Sequence, residues 1–233
     1  MSDNLIIGIV LILYFSPVFY QLFFLLKERN VENKRLLKRI IKFIKYSVSI
    51  LFFISVVFAT LSHTNFLDYE KPLTYDKYNQ ITFQNFRGFE FFKKSLYGST
   101  RFAYVVTSIE SNIDRNAVTI QSLFHPSRSF VYKKNAYSEE LLTHEKYHIK
   151  ITELFVRKAK KKISHLNTFN KDEIEEILDN VRTEEWTFQK KYDYDTFHSY
   201  VLSEQKRYEK EVDSLLTSLA KYRKPKIIIN DKN

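Results

Sequence analysis

Residues 139–163 read EELLTHEKYHIKITELFVRKAKKKI. Leu141, Ile151 and Phe155 fall on one face of a 3.6-residue period, and His144 and His148 fall on the same face. Ser138 stands just before, with Glu139 and Glu140 in the first turn. The stretch therefore predicts one amphipathic helix, capped by Ser138 and carrying acidic groups at the positive end of its dipole. Inside it, His144-Glu145-Lys146-Tyr147-His148 forms an H-E-x-x-H pattern. Side chains four apart lie about 40° from each other around a helix of ~3.6 residues per turn. Both imidazoles can thus reach one Zn²⁺, and Glu145 stands beside them, placed to take a proton from a water at the metal.

A zinc site that does chemistry needs a third protein ligand and an open position. The chain has 233 residues and no Cys, so His, Asp and Glu are the available ligands and disulfides are excluded. Glu153 is on the same helix but about 140° around the axis from His148. It is expected to face away from the histidines and to pair with the basic cluster Lys158 to Lys162. Glu173, Glu175, Glu176, Glu184 and Glu185 crowd a second predicted helix and remain candidates. So do His63, His125, His165 and His198; His198 sits in YDYDTFHSY, an aromatic and acidic stretch unlike its surroundings.

Working outward toward the N-terminus, residues 5–26 (LIIGIVLILYFSPVFYQLFFLL) carry no charge. That length crosses a hydrocarbon core of ~30 Å. No Lys or Arg precedes it, so it reads as a retained transmembrane helix rather than a signal peptide. A second apolar run covers residues 46–61, extended at its start by Ile40, Ile41, Phe43 and Ile44, with Lys42 and Lys45 placed to snorkel. The two spans, about 5–26 and 40–61, predict a membrane hairpin. Residues 27–45 hold eight Lys/Arg against two Glu; a short basic connection stays in the cytoplasm. This predicts a cell (inner) membrane protein, multi-pass with two spans, whose residues 64–233 lie on the periplasmic side. The net charge is +10, yet residues 64–233 contain 29 Lys/Arg against 24 Asp/Glu. Most of the excess thus belongs to the membrane connection, which argues against nucleic acid as a partner.

Between the membrane and the H-E-x-x-H helix, residues 80–86, 101–111, 116–124 and 128–133 are rich in β-branched and aromatic residues and predict strands. Asn112 to Arg115 is expected to be a hairpin loop. Two further helices are predicted, one from Lys171 to about Lys191 behind an Asn170/Glu173 capping box, the other from Ser199 to Tyr222. A small antiparallel sheet followed by three helices is an α+β domain. The tail 224–233 is expected to fray.

Four pieces of residues 80–222 resemble, in order, the bacterial domain-of-unknown-function 922 family of secreted zinc-dependent proteases. Ile81-Thr82-Phe83 through Phe86-Arg87-Gly88 is similar to its Leu-Thr-Trp…Asp-Phe-Lys-Gly opening. Phe124, Pro126, Ser129 and Val131 match an F-x-P-x-x-S-W-V strand, with Phe130 in place of Trp. LLTHEKYHIKITELFVRKAKK is similar to L-L-x-H-E-Q-G-H-x-x-I-x-E-L-x-A-R-K, and Tyr192, Asp193, Thr196 and His198 fit Y-D-x-x-T-x-H-G. Two places depart: Lys146-Tyr147 stands for Gln-Gly, and Ser199 for the final Gly.

The resemblance implies a zincin-like metallopeptidase domain over residues 64–223, with Zn²⁺ on His144, His148 and His198 and Glu145 as general base. It places Tyr192 and Asp193 behind the ligands, where a carboxylate orients an imidazole. Tyr192 or Tyr200 is a candidate donor to the developing oxyanion. The substrate would be a peptide or protein and the other partner the lipid bilayer. Two alternatives remain: a non-catalytic membrane-tethered binding or scaffold domain with a structural zinc, in which Asp193 or a helix-two glutamate completes four ligands, and a zinc amide hydrolase acting on the cell wall.

Overall fold

The structure, a computed structural model, describes residues 3–28, 34–63, 68–88, 103–131 and 138–229. The chain divides into two compact units, Met1–Thr64 and Asn65–Asn233.

The first unit is a pair of helices, α1 (Asp3–Glu28) and α2 (Lys34–His63). Their stretches Gly8–Lys27 and Leu37–Leu61 are each long and apolar enough to span a membrane. Phe19, Phe23, Phe52, Phe53 and Val57 are exposed, a surface that suits lipid and not water. Gln21 Nε2 donates to Ser47 Oγ at 2.9 Å, and Tyr14 Oη lies 2.8 Å from Ser55 Oγ. These polar pairs fix how the two helices face each other, since a polar group in an apolar surround needs a partner. Most of the basic stretch 27–45, expected as a loop, is helical from Lys34 onward. Leu37, Ile40, Ile41 and Ile44 recur at helical spacing there and carry the helix back through the basic residues. The remaining connection, 29–33, lies outside the described residues.

The second unit contains, in chain order, β1 (Leu73–Thr74), two 3₁₀ turns at Tyr75–Gln80 and Phe83–Asn85, β2 (Ala103–Tyr104), β3 (Thr107–Asp114), β4 (Ala117–Phe124), β5 (Phe130–Val131), α3 (Glu139–Ile163), α4 (Lys171–Thr196), α5 (Leu202–Ser218), a 3₁₀ turn at Ala220–Tyr222 and β6 (Lys226–Ile228). Strand β4 is the centre of an antiparallel sheet. Along one edge β3 pairs with it from Thr107↔Phe124 to Asp114↔Ala117. Its other edge is shared, β1 taking the end at Leu123 and Phe124 and β6 the end from Ala117 to Thr119. Strands β2 and β5 form a separate antiparallel pair.

Helix α3 is the middle layer. Ile151, Leu154, Phe155, Ala159 and Ile163 pack between Val118 and Ile120 of the sheet and the buried faces of α4 (Leu178, Val181) and α5 (Val212, Leu216). Its bounds are those expected from the sequence, and Ser138 Oγ accepts from Leu141 N at 3.1 Å. Asn170 caps α4 by accepting from Asp172 N and Glu173 N at 3.0 and 3.3 Å.

Four expectations are corrected. Residues 80–86 form no strand, because Thr82 and Asn85 bond to each other's backbone neighbourhood and close a 3₁₀ turn there. The β3–β4 hairpin turns at Arg115-Asn116, two residues later than Asn112 to Arg115, since the strands pair up to Asp114. Helix α4 runs five residues past Lys191, and α5 is confined to Leu202–Ser218. The tail contributes β6, with Ile229 N donating to Asn116 O at 2.9 Å; residues 230–233 lie outside the described residues, as do 101–102 and 132–133 of the expected strands.

Gly88 lies where the chain crosses the β4–β5 connection: its N–H donates to Ser129 O at 2.7 Å, and a Cβ there would meet the Arg128 carbonyl carbon at 3.0 Å. Only glycine allows that approach.

Candidate metal centre

His144, Glu145 and His148 come from the second and third turns of α3 and all three are buried, at 0%, 2% and 8% exposure. Facing them is the C-terminal end of α4. Asp193 Oδ1 lies 3.2 Å from His144 Nε2 and 3.0 Å from His148 Nε2. One ligand atom from each of His144, His148 and Asp193 lies within 4.8 Å of the others, so the group can hold a metal ion. The spacing itself fits: ligands about 2.0 Å from a tetrahedral ion stand about 3.3 Å apart. Two imidazoles and a carboxylate form a donor set that suits zinc and its first-row neighbours.

His198 joins the cluster from the other side of Asp193. Its Nδ1 is 3.3 Å from the same Oδ1, and its ring centroid is 6.2 Å from that of His144. It arrives there through three consecutive left-handed residues, Phe197 (φ 46°), His198 (φ 52°) and Ser199 (φ 76°). This turn ends α4 and is closed by His198 N donating to Asp193 O at 3.3 Å and Val201 N to Thr196 O at 2.9 Å. Left-handed backbone at non-glycine residues is strained, and strain of this kind gathers at functional sites. Ser199, which stands at the glycine of the resembling motif, has the largest of the three φ angles.

The histidines divide electrostatically. Burial drives the His144 pKa down to about 4, against the pull of Asp193. Burial opposes charge on His148 as well, but the Asp193 carboxylate, its hydrogen bond and Glu145 outweigh it and raise the pKa to about 9. Asp193 answers in kind: burial would raise its carboxyl, and the charge of His148 with hydrogen bonds from three histidines holds it far below the usual carboxylate range. A metal entering this site must displace the proton that His148 carries.

Neighbours hold the rings in place. His148 Nδ1 is 2.5 Å from Gln189 Oε1, which turns Nε2 toward Asp193. Gln189 in turn donates from Nε2 to His148 O (2.9 Å), Thr152 Oγ1 (3.2 Å) and Glu185 Oε1 (2.8 Å). Sequence reasoning missed Gln189. Its signal was the run Glu185, Gln189, Asp193 at successive fours on α4, one polar stripe facing α3. Tyr192 is wholly buried, stacked on His144 at 4.6 Å and 15°, with its hydroxyl donating to His144 O at 3.4 Å. That position makes it a wall of the site with its hydroxyl occupied. Tyr200 is 55% exposed. His144 Nδ1 is buried with no hydrogen-bond partner among the described residues.

The other candidates lie elsewhere. Glu185 bonds Thr152 and Gln189 behind His148; Glu184 pairs with Lys162 and Glu175 with Lys171; Glu173 and Glu176 are exposed. His165 is exposed beside Lys161 O. His125 belongs to another network, its Nε2 2.8 Å from Ser108 Oγ and its Nδ1 2.8 Å from Asp68 Oδ2, with Arg128 and Ser127 on the same carboxylate; it ties residue 68 to the end of β4. For His63 only the helical backbone is described. Tyr147, between the two histidines in sequence, points away from them, donating to Asp213 Oδ2 at 2.8 Å on α5.

Glu153 does face away from the histidines, but its partners are not the cluster Lys158 to Lys162. It is 3% exposed, its Oε1 accepting from Arg157 Nε and its Oε2 from Ser122 Oγ, both at 2.8 Å. No protein-family model, curated protein or solved structure matches this chain.

Proposed function

We propose that this chain is a membrane-anchored, zinc-dependent peptidase, the hairpin of α1 and α2 crossing the bilayer with its basic connection in the cytoplasm and the second unit on the periplasmic side. The observation that carries the reading is the convergence of both H-E-x-x-H imidazoles on Asp193 with Glu145 buried beside them. His144 and His148 would hold zinc, with Asp193 or His198 as third ligand. Zinc bound there supplies Lewis-acid polarisation of a water and of the substrate carbonyl. Glu145 accepts on its carboxylate the proton of the attacking water and delivers it to the departing amine nitrogen. Asp193 and His198, with side chains 29% and 21% exposed, form the open side of the site. Phe197, Tyr200, Val201 and Leu202, all exposed next to His198, offer apolar contact to peptide side chains.

A second reading draws on one observation. His198 Nδ1 lies 3.3 Å from Asp193 Oδ1, beside the His144–His148–Asp193 group, and a small shift of that ring would complete a four-ligand set, which suits a structural zinc in a tethered binding domain. Metal content of the purified full-length protein, measured by elemental analysis for wild type, Asp193→Asn and His198→Ala, separates the cases. One zinc per chain, lost in only one of the two variants, leaves a position open, names the third ligand and supports the peptidase. Loss in both favours the closed site, and no metal in the wild type under zinc-replete conditions removes both readings.

A further inference from the structure

On the side of α3 opposite the histidines, Lys160 is 1% exposed and lines a cavity of about 760 Å³. The walls come from β1, β4, α3 and residues 220–225. The buried carboxylate in those walls is already committed: both oxygens of Glu153 are taken, by Arg157 and Ser122. The Lys160 ammonium makes no hydrogen bond or close ion pair among the described residues, and the same holds for the side chains of Arg223 and Lys224 at the cavity's edge. The other acid present, Asp76, accepts from the Thr74 hydroxyl.

The Glu153 charge favours the Lys160 ammonium only from a distance and is offset by Arg157, and a buried ammonium with no hydrogen-bonded anion is costly. Burial brings the Lys160 pKa down to about 8, so at neutral pH it is still mostly a cation. Its retention makes physical sense if a counter-charge arrives from outside. A monocarboxylate would satisfy Lys160 but leave Arg223 and Lys224 unmatched, whereas a phosphate carries two charges and accepts the planar fork of an arginine. The cavity also falls in the range of about 300–1,000 Å³ that holds an organic molecule, so a phosphate bearing a small organic group fits better than the bare ion.

We propose that this cavity binds a phosphate-bearing anion, with Lys160 at its floor and Arg223 and Lys224 closing over the charge. The site is separate from the metal centre and stands whether or not the peptidase reading does.

The test uses the full-length protein in neutral detergent, titrated with glycerol 3-phosphate and followed by calorimetry. Saturable binding is expected in the wild type, absent in Lys160→Met and weakened at least about tenfold in Arg223→Gln/Lys224→Gln. The double variant alters exposed residues only, so it reports on the site even if Lys160→Met fails to fold. Repeating the titration in nanodiscs distinguishes the source of the phosphate. A lipid headgroup as occupant means that phosphatidylglycerol discs block added ligand and phosphatidylcholine discs do not; a soluble ligand binds equally in both. No saturable binding in detergent, or binding that the double variant leaves unchanged, overturns the proposal.

Discussion

On one face of α3, Glu153 and Arg157 form a buried ion pair tied to its neighbours: Arg157 Nε donates to Glu153, Nη1 to Leu216 O at 2.7 Å, and Ser122 to Glu153. On the opposite face a single oxygen of Asp193 serves three histidines, and His144 Nδ1 has no hydrogen-bond partner among the described residues. Both faces are buried and both are charged. The Glu153–Arg157 pair is complete as it stands, which is what a structural ion pair needs. The second face gathers three imidazoles on one oxygen of Asp193, and the next turn of chain, Phe197 to Ser199, is held in left-handed backbone. Burial of charge alone therefore does not mark a functional site; an arrangement that the protein's own groups leave unbalanced does.

If the contrast is sound, substitutions on the two faces fail in different ways. The largest effect is expected from Glu145→Gln. Peptide hydrolysis should fall by about 10²–10⁴-fold with zinc content and melting temperature unchanged; retained turnover would remove the general base from the mechanism. Next is Glu153→Ala, which strands the Arg157 guanidinium. It should cost about 3–5 kcal/mol of stability while the folded fraction still takes up zinc, read by urea denaturation alongside metal analysis. A loss of zinc from folded protein would show that the two faces are not independent.

Gln189→Leu should lower zinc affinity by about 10–100-fold, since His148 loses the acceptor that orients it, with little change in the unfolding midpoint of the metal-free protein. Lys160→Met should stabilise the unliganded protein by about 1 kcal/mol at pH 7, after allowance for solvent screening at the cavity mouth. The sign follows from the lowered pKa: between pH 8 and 10.5 the unfolded chain holds a proton that the folded chain has shed. Wild-type stability therefore rises through that window relative to the variant, and the variant's advantage should be gone above it. An effect of similar size is expected from Ser199→Gly, a gain of about 1 kcal/mol in melting experiments from a left-handed residue that no longer carries a Cβ.

Much of α3 could be read in advance because its signals are local. Ser138, the acidic first turn and the apolar spacing fix where it starts and which face is buried, and the pair of membrane-length helices is equally plain. What the sequence reading mishandled depended on neighbours distant along the chain. An angle of about 140° from the histidines does turn Glu153 away from them, but α3 has sheet on one side and helices on the other, so its partners are Arg157 and Ser122 in the next layer rather than the cluster Lys158 to Lys162. Asp193 was assigned a place behind His198, whereas it stands nearest both α3 histidines; the relevant order is set by where α4 ends. Residues 80–86 alternate like a strand, but Thr82 and Asn85 supply their own hydrogen bonds and need no neighbouring strand. Lys226 to Ile229 carried a strand signal in its β-branched run, overlooked because it lies in a short polar tail.

That last segment bears on when the domain can fold. Strand β6 joins β4 by pairing Ile228 with Ala117, and Ile229 enters the core. The sheet edge next to Ala117 is consequently open until residues 226–229 have been made and brought back across all three helices. Contacts of such long sequence separation form late and slowly. The second unit therefore cannot close into its finished form before its last strand is in place, however early its three helices are made.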